Sequence, residues 1–108
     1  MLSYPPFNHF ARILLRGTSE NTTMNSADVL ASILSSYQEA HFPDVEVMGP
    51  APAAIARIKN YYRWQILLKA VDPAHIRELV KMAFTKLPSQ ITKGDVAVIV
   101  DMDPMSIL

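Results

Sequence analysis

Residues 48–70 read MGPAPAAIARIKNYYRWQILLKA. The last ten of them decide the fold. Tyr62, Trp64, Ile66 and Leu68 alternate with Tyr61, Arg63, Gln65, Leu67 and Lys69. A period of two places each set on one face of a β-strand. The first set is bulky and apolar and predicts a face turned to a core; the second is mixed and predicts an open face. Ahead of the strand, Gly49-Pro50-Ala51-Pro52 reads as a turn, with Ala54 to Lys59 a second extended piece. Between Val47 and Val71 there is no acidic residue, but there are four basic ones, Arg57, Lys59, Arg63 and Lys69. Tyr61, Tyr62 and Trp64 lie among them. A positive patch with stacking groups suits a polyanion with exposed bases, meaning single-stranded or branched nucleic acid.

The same reasoning extends outward. Residues 9–16, HFARILLR, read as a strand with Ala11, Ile13 and Leu15 on one face and Phe10, Arg12, Leu14 and Arg16 on the other. Gly17 to Asn21 reads as a turn. Residues 23–41 predict a helix, because Leu30, Ile33, Leu34, Tyr37 and His41 recur at helical spacing. Asn21, Thr22, Asn25 and Ser26 are candidate caps. Phe42-Pro43-Asp44 ends the helix, and Val45 to Met48 form a short strand. Asp72-Pro73 begins a second helix, a capping Asp followed by Pro at the first helical position. Its stripe is Ile76, Leu79, Val80, Ala83 and Leu87, and Pro88 stops it. Val96 to Met102 is a last, β-branched strand. The order strand, helix, strand, strand, helix, strand predicts an α+β fold. It is a ferredoxin-like split βαβ arrangement, a four-stranded antiparallel sheet with two helices on one face. The open face would carry Phe10, Arg12, Leu14, Arg16, Arg63, Gln65, Leu67, Lys69 and Ile99. It is too apolar for plain solvent surface, so it binds a ligand or packs on another domain.

Composition bounds the function. The chain has 108 residues, half of them hydrophobic and 19% charged, which excludes a disordered tail. Ten basic and ten acidic residues cancel, so any nucleic-acid site is local. There is no cysteine, and so no disulfide or thiolate metal site. No apolar run approaches the roughly 18 to 20 residues that span a bilayer, and MLSYPPFNHF lacks the pattern of a secretory signal. Asn21-Thr22-Thr23 matches a glycosylation sequon and reads instead as helix-start chemistry.

No catalytic constellation emerges. Gly17, Gly49 and Gly94 are too far apart for a phosphate-binding loop or a dinucleotide fingerprint. His9, His41 and His75 stand alone, without metal spacing. Asp101 and Asp103, at i and i+2 on a strand, could hold a hard metal. The reading preferred for them is a strand end whose carboxylates cap backbone amides. A metal-dependent enzyme using these two residues is thus a third possibility, behind nucleic-acid binding and protein docking.

Three motifs resemble a known family. Gly49-Pro50-Ala51-Pro52 is similar to its GPxPA turn. Arg57-x-Lys59-x-x-Tyr62-Arg63-Trp64-Gln65-Ile66-Leu67-Leu68-Lys69 is similar to a basic stretch ending RYRxQ(I/L)L. Asp101-Met102-Asp103-Pro104 is similar to a terminal DVDP. Tyr4-Pro5-Pro6-Phe7 also resembles the family's (Y/L)PP(F/W) lead-in. Together, in order and spacing, they resemble the C-terminal domain of bacterial primosomal protein N′, the PriA replication-restart helicases. The match covers essentially the whole chain. Asn60-Tyr61 stands where the family often has Gly-Arg, which lowers the positive charge there, and Met102 replaces the usual Val.

The resemblance implies an accessory, non-catalytic domain of an ATP-dependent DNA helicase acting at stalled forks in the bacterial cytoplasm, near the nucleoid. Residues 1–8 would be an extended lead-in from the helicase core and residues 9–108 a single domain. ATP, magnesium and zinc would be bound only by upstream domains, and no cofactor by this chain. The implied partners are branched or single-stranded DNA, single-stranded-DNA-binding protein with its acidic tail, the helicase core of the same polypeptide and other primosome proteins, with no membrane. Arg57, Lys59, Tyr62, Arg63, Trp64 and Gln65 carry over as motif positions. By alternation Arg57, Lys59 and Arg63 are the phosphate candidates and Tyr61 the stacking candidate. Arg12, Arg16 and Lys69 extend the DNA-binding set over the open face. Arg77 and Gln65 are candidates for an acidic partner tail. The alternative is a protein-interaction module that docks an acidic peptide and makes no DNA contact.

Overall fold

The computed structural model describes residues 8–88, 91 and 94–103; the Tyr4-Pro5-Pro6-Phe7 lead-in and the tail from Pro104 lie outside them. The elements run β1 (His9–Gly17), α1 (Glu20–His41), β2 (Glu46–Ile58), β3 (Tyr61–Ala70), α2 (Pro73–Phe84) and β4 (Ala97–Met102). The strands lie in the order β2-β3-β1-β4, every neighbouring pair antiparallel. Each helix therefore connects two strands that leave room for a third between them, which is the split βαβ arrangement.

Alternation along β1 sets the layers. Ala11, Ile13 and Leu15 are fully buried, as are Ile66 and Leu68 of β3. They meet Ala27, Leu30 and Leu34 of α1 and Ile76, Leu79 and Ala83 of α2 in one core. Burying each large aliphatic side chain stabilises the fold by about 1.5–3 kcal/mol. An exposed ion pair contributes about 0–1 kcal/mol, so burial, not charge, sets the register.

Helix α1 starts three residues earlier than periodicity suggested. Its cap is Ser19, whose Oγ accepts from the Thr22 N–H at 3.3 Å. Thr23 is fully buried and its Oγ1 donates to the Ser19 carbonyl at 2.7 Å. Gly17 lies against that hydroxyl, and a Cβ there would collide with it. The three residues gained, Glu20, Asn21 and Thr22, are exposed and polar, so an apolar-stripe reading does not reach them. Helix α2 begins as expected, with Asp72 accepting from the Ala74 N–H at 2.9 Å and Pro73 in the first turn. It ends at Phe84, before Leu87 and Pro88.

The expected turn at Gly49-Pro50-Ala51-Pro52 is not a turn. These residues lie inside β2, which runs unbroken from Glu46 to Ile58. Pairing goes from Met48↔Leu67 to Ala51↔Gln65, and later from Pro52↔Trp64 to Arg57↔Tyr62. The strand thus absorbs extra residues as bulges, as an edge strand can. Edge position also tolerates prolines, whose missing N–H groups are not needed on the free side. Gly49 permits the first bulge at φ +103°, where a Cβ would stand 3.0 Å from the Gln65 carbonyl oxygen. The chain reverses at Lys59-Asn60, with φ of 52° and 70°. Two positive-φ residues between Ile58 and Tyr61 are the geometry of a tight two-residue hairpin.

The loop after α1 is fastened to the start of α2. The Nδ1 of His75 lies 2.7 Å from Asp44 and its Nε2 3.6 Å from Asp72. Its ring packs on Phe42 at 5.7 Å between centroids. The hydrogen bond to Asp44 holds the His75 pKa above its ordinary 6.5, and the same bond holds the Asp44 carboxyl below its ordinary value.

Two outcomes are expected. Gly49→Ala should lower stability by about 1–3 kcal/mol, because alanine is strained at positive φ; an unchanged urea midpoint would contradict this. A raised His75 pKa gives stability that is present below its unfolded value and lost as pH rises through the folded one. The melting temperature should therefore fall as pH rises above the ordinary histidine range of about 6.5, and His75→Gln should flatten that fall. Asp44 adds a loss at the acid end, as pH drops through its lowered folded value.

Candidate nucleic-acid interface

The hairpin turn brings together one corner of the sheet. Residues 54–61 are all exposed, with Ile55 at 59% and Ile58 and Tyr61 at 39%. On the face away from the helices, Arg16 of β1 stands directly across from Arg63 of β3. Like charges facing each other across strands are destabilising, and each guanidinium here has a separate neighbour. Arg16 lies over the Tyr61 ring, 5.0 Å from its centroid. Arg63 donates from Nη1 to the Ile55 carbonyl at 3.0 Å. That bond crosses the larger bulge of β2, so the bulge positions the arginine. Arg16, Lys59, Tyr61 and Arg63, with Leu14 and Ile58, line a shallow cavity of 240 Å³. None of its three cations is in an ion pair among the described residues.

Four of the seven DNA-binding candidates therefore converge: Arg16, Lys59, Tyr61 and Arg63. The other three do not. Arg57 pairs with Tyr62 on the opposite face of the hairpin. Its guanidinium lies 5.2 Å from the centre of that ring and donates to Asn60 Oδ1 at 3.1 Å. Grouping Arg57 with Arg63 extended the alternation of β3 back past Tyr61; the two-residue turn at Lys59-Asn60 breaks that count, because it sets Arg57 opposite Tyr62. Arg12 is on the open face but is half-buried, and its Nη2 lies 3.3 Å from Asp101, so its charge is balanced. Lys69 is six residues along β3 from Arg63, about 20 Å away, in register with Phe10 and Glu46.

Arg77 and Gln65 cannot form one site. Gln65 is on the open face, between Leu14 and Ala51. Arg77 borders a groove of 650 Å³ between α2 and β4, on the helix side. Val80, Phe84, Val100 and Met102 line this groove, with Arg77, Glu78 and Lys81. Trp64 packs on the core as its parity implies, whereas Tyr62, paired with Gly17 at the end of β1, carries Arg57. On the open face Leu14 is buried, whereas Ile99 keeps 39% of its surface exposed.

Asp101 and Asp103 act separately. Asp101 accepts from Arg12. Asp103 accepts from the Phe10 N–H at 3.0 Å and lies 3.1 Å from His9 Nδ1. The Phe10 N–H bond, then His9, hold its carboxyl below the usual range. The amide-capping reading is observed for Asp103, with the amide coming from the neighbouring strand, but not for Asp101, which meets a guanidinium instead. Among the described residues no three His, Asp or Glu side chains gather as a metal site requires. Nor is any described helix long and apolar enough to cross a membrane.

Sequence reasoning missed Ile55 and Ile58 as exposed apolar groups at the corner. The available signal was Asn60, a residue that tolerates the left-handed region and so marks the reversal.

Comparison with known proteins agrees with this architecture. A de novo designed protein with a ferredoxin fold superposes with a TM-score of 0.62 at 10% identity, covering 90% of this chain and 85% of that one. A hydantoinase/carbamoylase family amidase from Burkholderia ambifaria superposes at 0.58 with 13% identity, over 93% of this chain and 28% of that one. At such identities the likeness concerns the fold alone. In sequence, the chain is 35% identical to the replication restart protein PriA of Synechocystis sp. over 99% of its length, and 27% identical to that of Bacillus subtilis over 94%. It spans 12% of the length of each. The family model described as the primosomal protein N C-terminal domain matches residues 1–105, and the chain belongs to that family.

Proposed function

We propose that this chain is the DNA-binding accessory domain of a replication-restart helicase, contacting branched or single-stranded DNA at stalled forks. The observation that carries the reading is the cluster of Arg16, Lys59 and Arg63 around Tyr61, cationic and free of carboxylate partners among the described residues. Guanidinium groups bind phosphate in a fork geometry and stack on bases, and an exposed tyrosine ring offers a platform for an unpaired base. The helicase reaction, with its ATP, magnesium and zinc, would belong to other parts of a longer polypeptide. In that polypeptide residues 1–8 lead in from the helicase core, and residues 9–108 form the domain. It would work in the cytoplasm at replication forks, beside other primosome proteins.

A second reading rests on the groove between α2 and β4. Its apolar floor and its Arg77 and Lys81 suit an acidic peptide ending in apolar residues. Docking of single-stranded-DNA-binding protein through its acidic tail would use this groove. The two surfaces lie on opposite faces of the sheet, so both can serve one domain.

Fluorescence anisotropy with single-stranded DNA across a salt series separates the readings. Replacing Arg16, Lys59 and Arg63 by alanine should weaken binding and reduce the slope of log affinity against log salt by about 2, since each phosphate contact on a single strand contributes about 0.7. An unchanged slope would remove those residues from the interface. Arg77→Glu should leave DNA binding intact and abolish binding of an acidic peptide. A domain that takes the peptide and no DNA at low salt would make the second reading the sole function.

A further inference from the structure

We propose that the hairpin corner is a two-sided wedge that recognises the branch point of a DNA fork, an inference that rests on the DNA-binding reading above. Its cations are divided between two faces. Arg16, Lys59 and Arg63 surround Tyr61 on the open face, while Arg57 lies over Tyr62 on the other. A surface that tracks a single strand needs cations on one side only. Placing them on both sides of a thin β-ribbon suits two phosphate backbones that pass on either side of it. Two backbones diverge in that way where a duplex opens.

The apolar groups occupy the place such a geometry requires. Ile55 stands exposed on the bulged edge of β2, and Ile58 beside the turn that ends the hairpin. Apolar side chains on cationic supports insert between base steps, at an unstacking cost of a few kcal/mol per step. That cost is least at a branch point, where the last base pair is stacked on one side only. No carboxylate lies between Val47 and Val71 to repel either backbone. Arg63 braces the bulge through the Ile55 carbonyl, and the two-residue turn fixes the end, so the corner is shaped before it meets DNA.

The test uses the 108-residue chain with a fork bearing both single-stranded arms, forks bearing only the 5′ or only the 3′ arm, a blunt duplex and a single strand. A 2-aminopurine is placed at the last base pair of each duplex. The two-armed fork should bind about tenfold more tightly than either one-armed fork, within the range that one stacked base or a few phosphate contacts supply. Arg57→Ala should remove the gain from one arm, and Arg16→Ala with Arg63→Ala the gain from the other. Fluorescence of the 2-aminopurine should rise on binding, and the rise should vanish in Ile55→Ser/Ile58→Ser while Ile58→Leu keeps it. Equal loss on both one-armed forks in every variant, or no fluorescence change with the unaltered chain, would overturn the wedge and leave DNA binding standing. No binding to any of the DNAs would overturn both.

Discussion

The register of β1 is the constraint on which the rest depends. It is the inner strand that touches both β3 and β4, and its helix-side residues Ala11, Ile13 and Leu15 have no exposed surface. A slip by one residue would exchange these for Phe10, Arg12, Leu14 and Arg16. Two guanidinium groups would then enter the core, at a cost far beyond any ion-pair gain. The same register puts Arg16 opposite Arg63 and Arg12 opposite Asp101. Core burial thereby produces the surface charge pattern as well: one arginine neutralised, the other held beside a second cation.

Strand β2 relaxes that regularity at the edge, and its bulges give the hairpin its shape. Gly49 opens the first irregularity, and the larger one after Pro52 lets Ile55 stand clear while its carbonyl holds Arg63. The prolines sit where a strand has no second neighbour to serve. An edge so interrupted is also a poor template for another strand. The sheet corner therefore remains available to a ligand of a different kind.

Much of the fold was legible because three strands and both helices follow a single period throughout. In β3, alternation from Tyr61 to Ala70 survives intact, and Asp72-Pro73 marks a helix start by local chemistry alone. Strand β2 was not legible as one element, because glycine and proline have the same signature in a turn and in an edge bulge. Deciding between them takes the partner strand, whose register lies far away in sequence. The site too was legible in part. Arg16, Tyr61 and Arg63 could be placed on one face by counting along regular strands. Arg57 could not, since the count from β3 runs through the two-residue turn at Lys59-Asn60, which puts it on the face of Tyr62. The start of α1 was missed for a different reason: Glu20, Asn21 and Thr22 are exposed and polar, and no apolar stripe extends over them.

Backbone amide NMR of the isotope-labelled chain, titrated with a short single-stranded oligonucleotide at low salt, tests the central claim most directly. Shifts confined to residues 54–63 and to the end of β1 around Arg16 would place DNA at the hairpin corner. Shifts confined to the groove between α2 and β4, or none anywhere, would contradict the account.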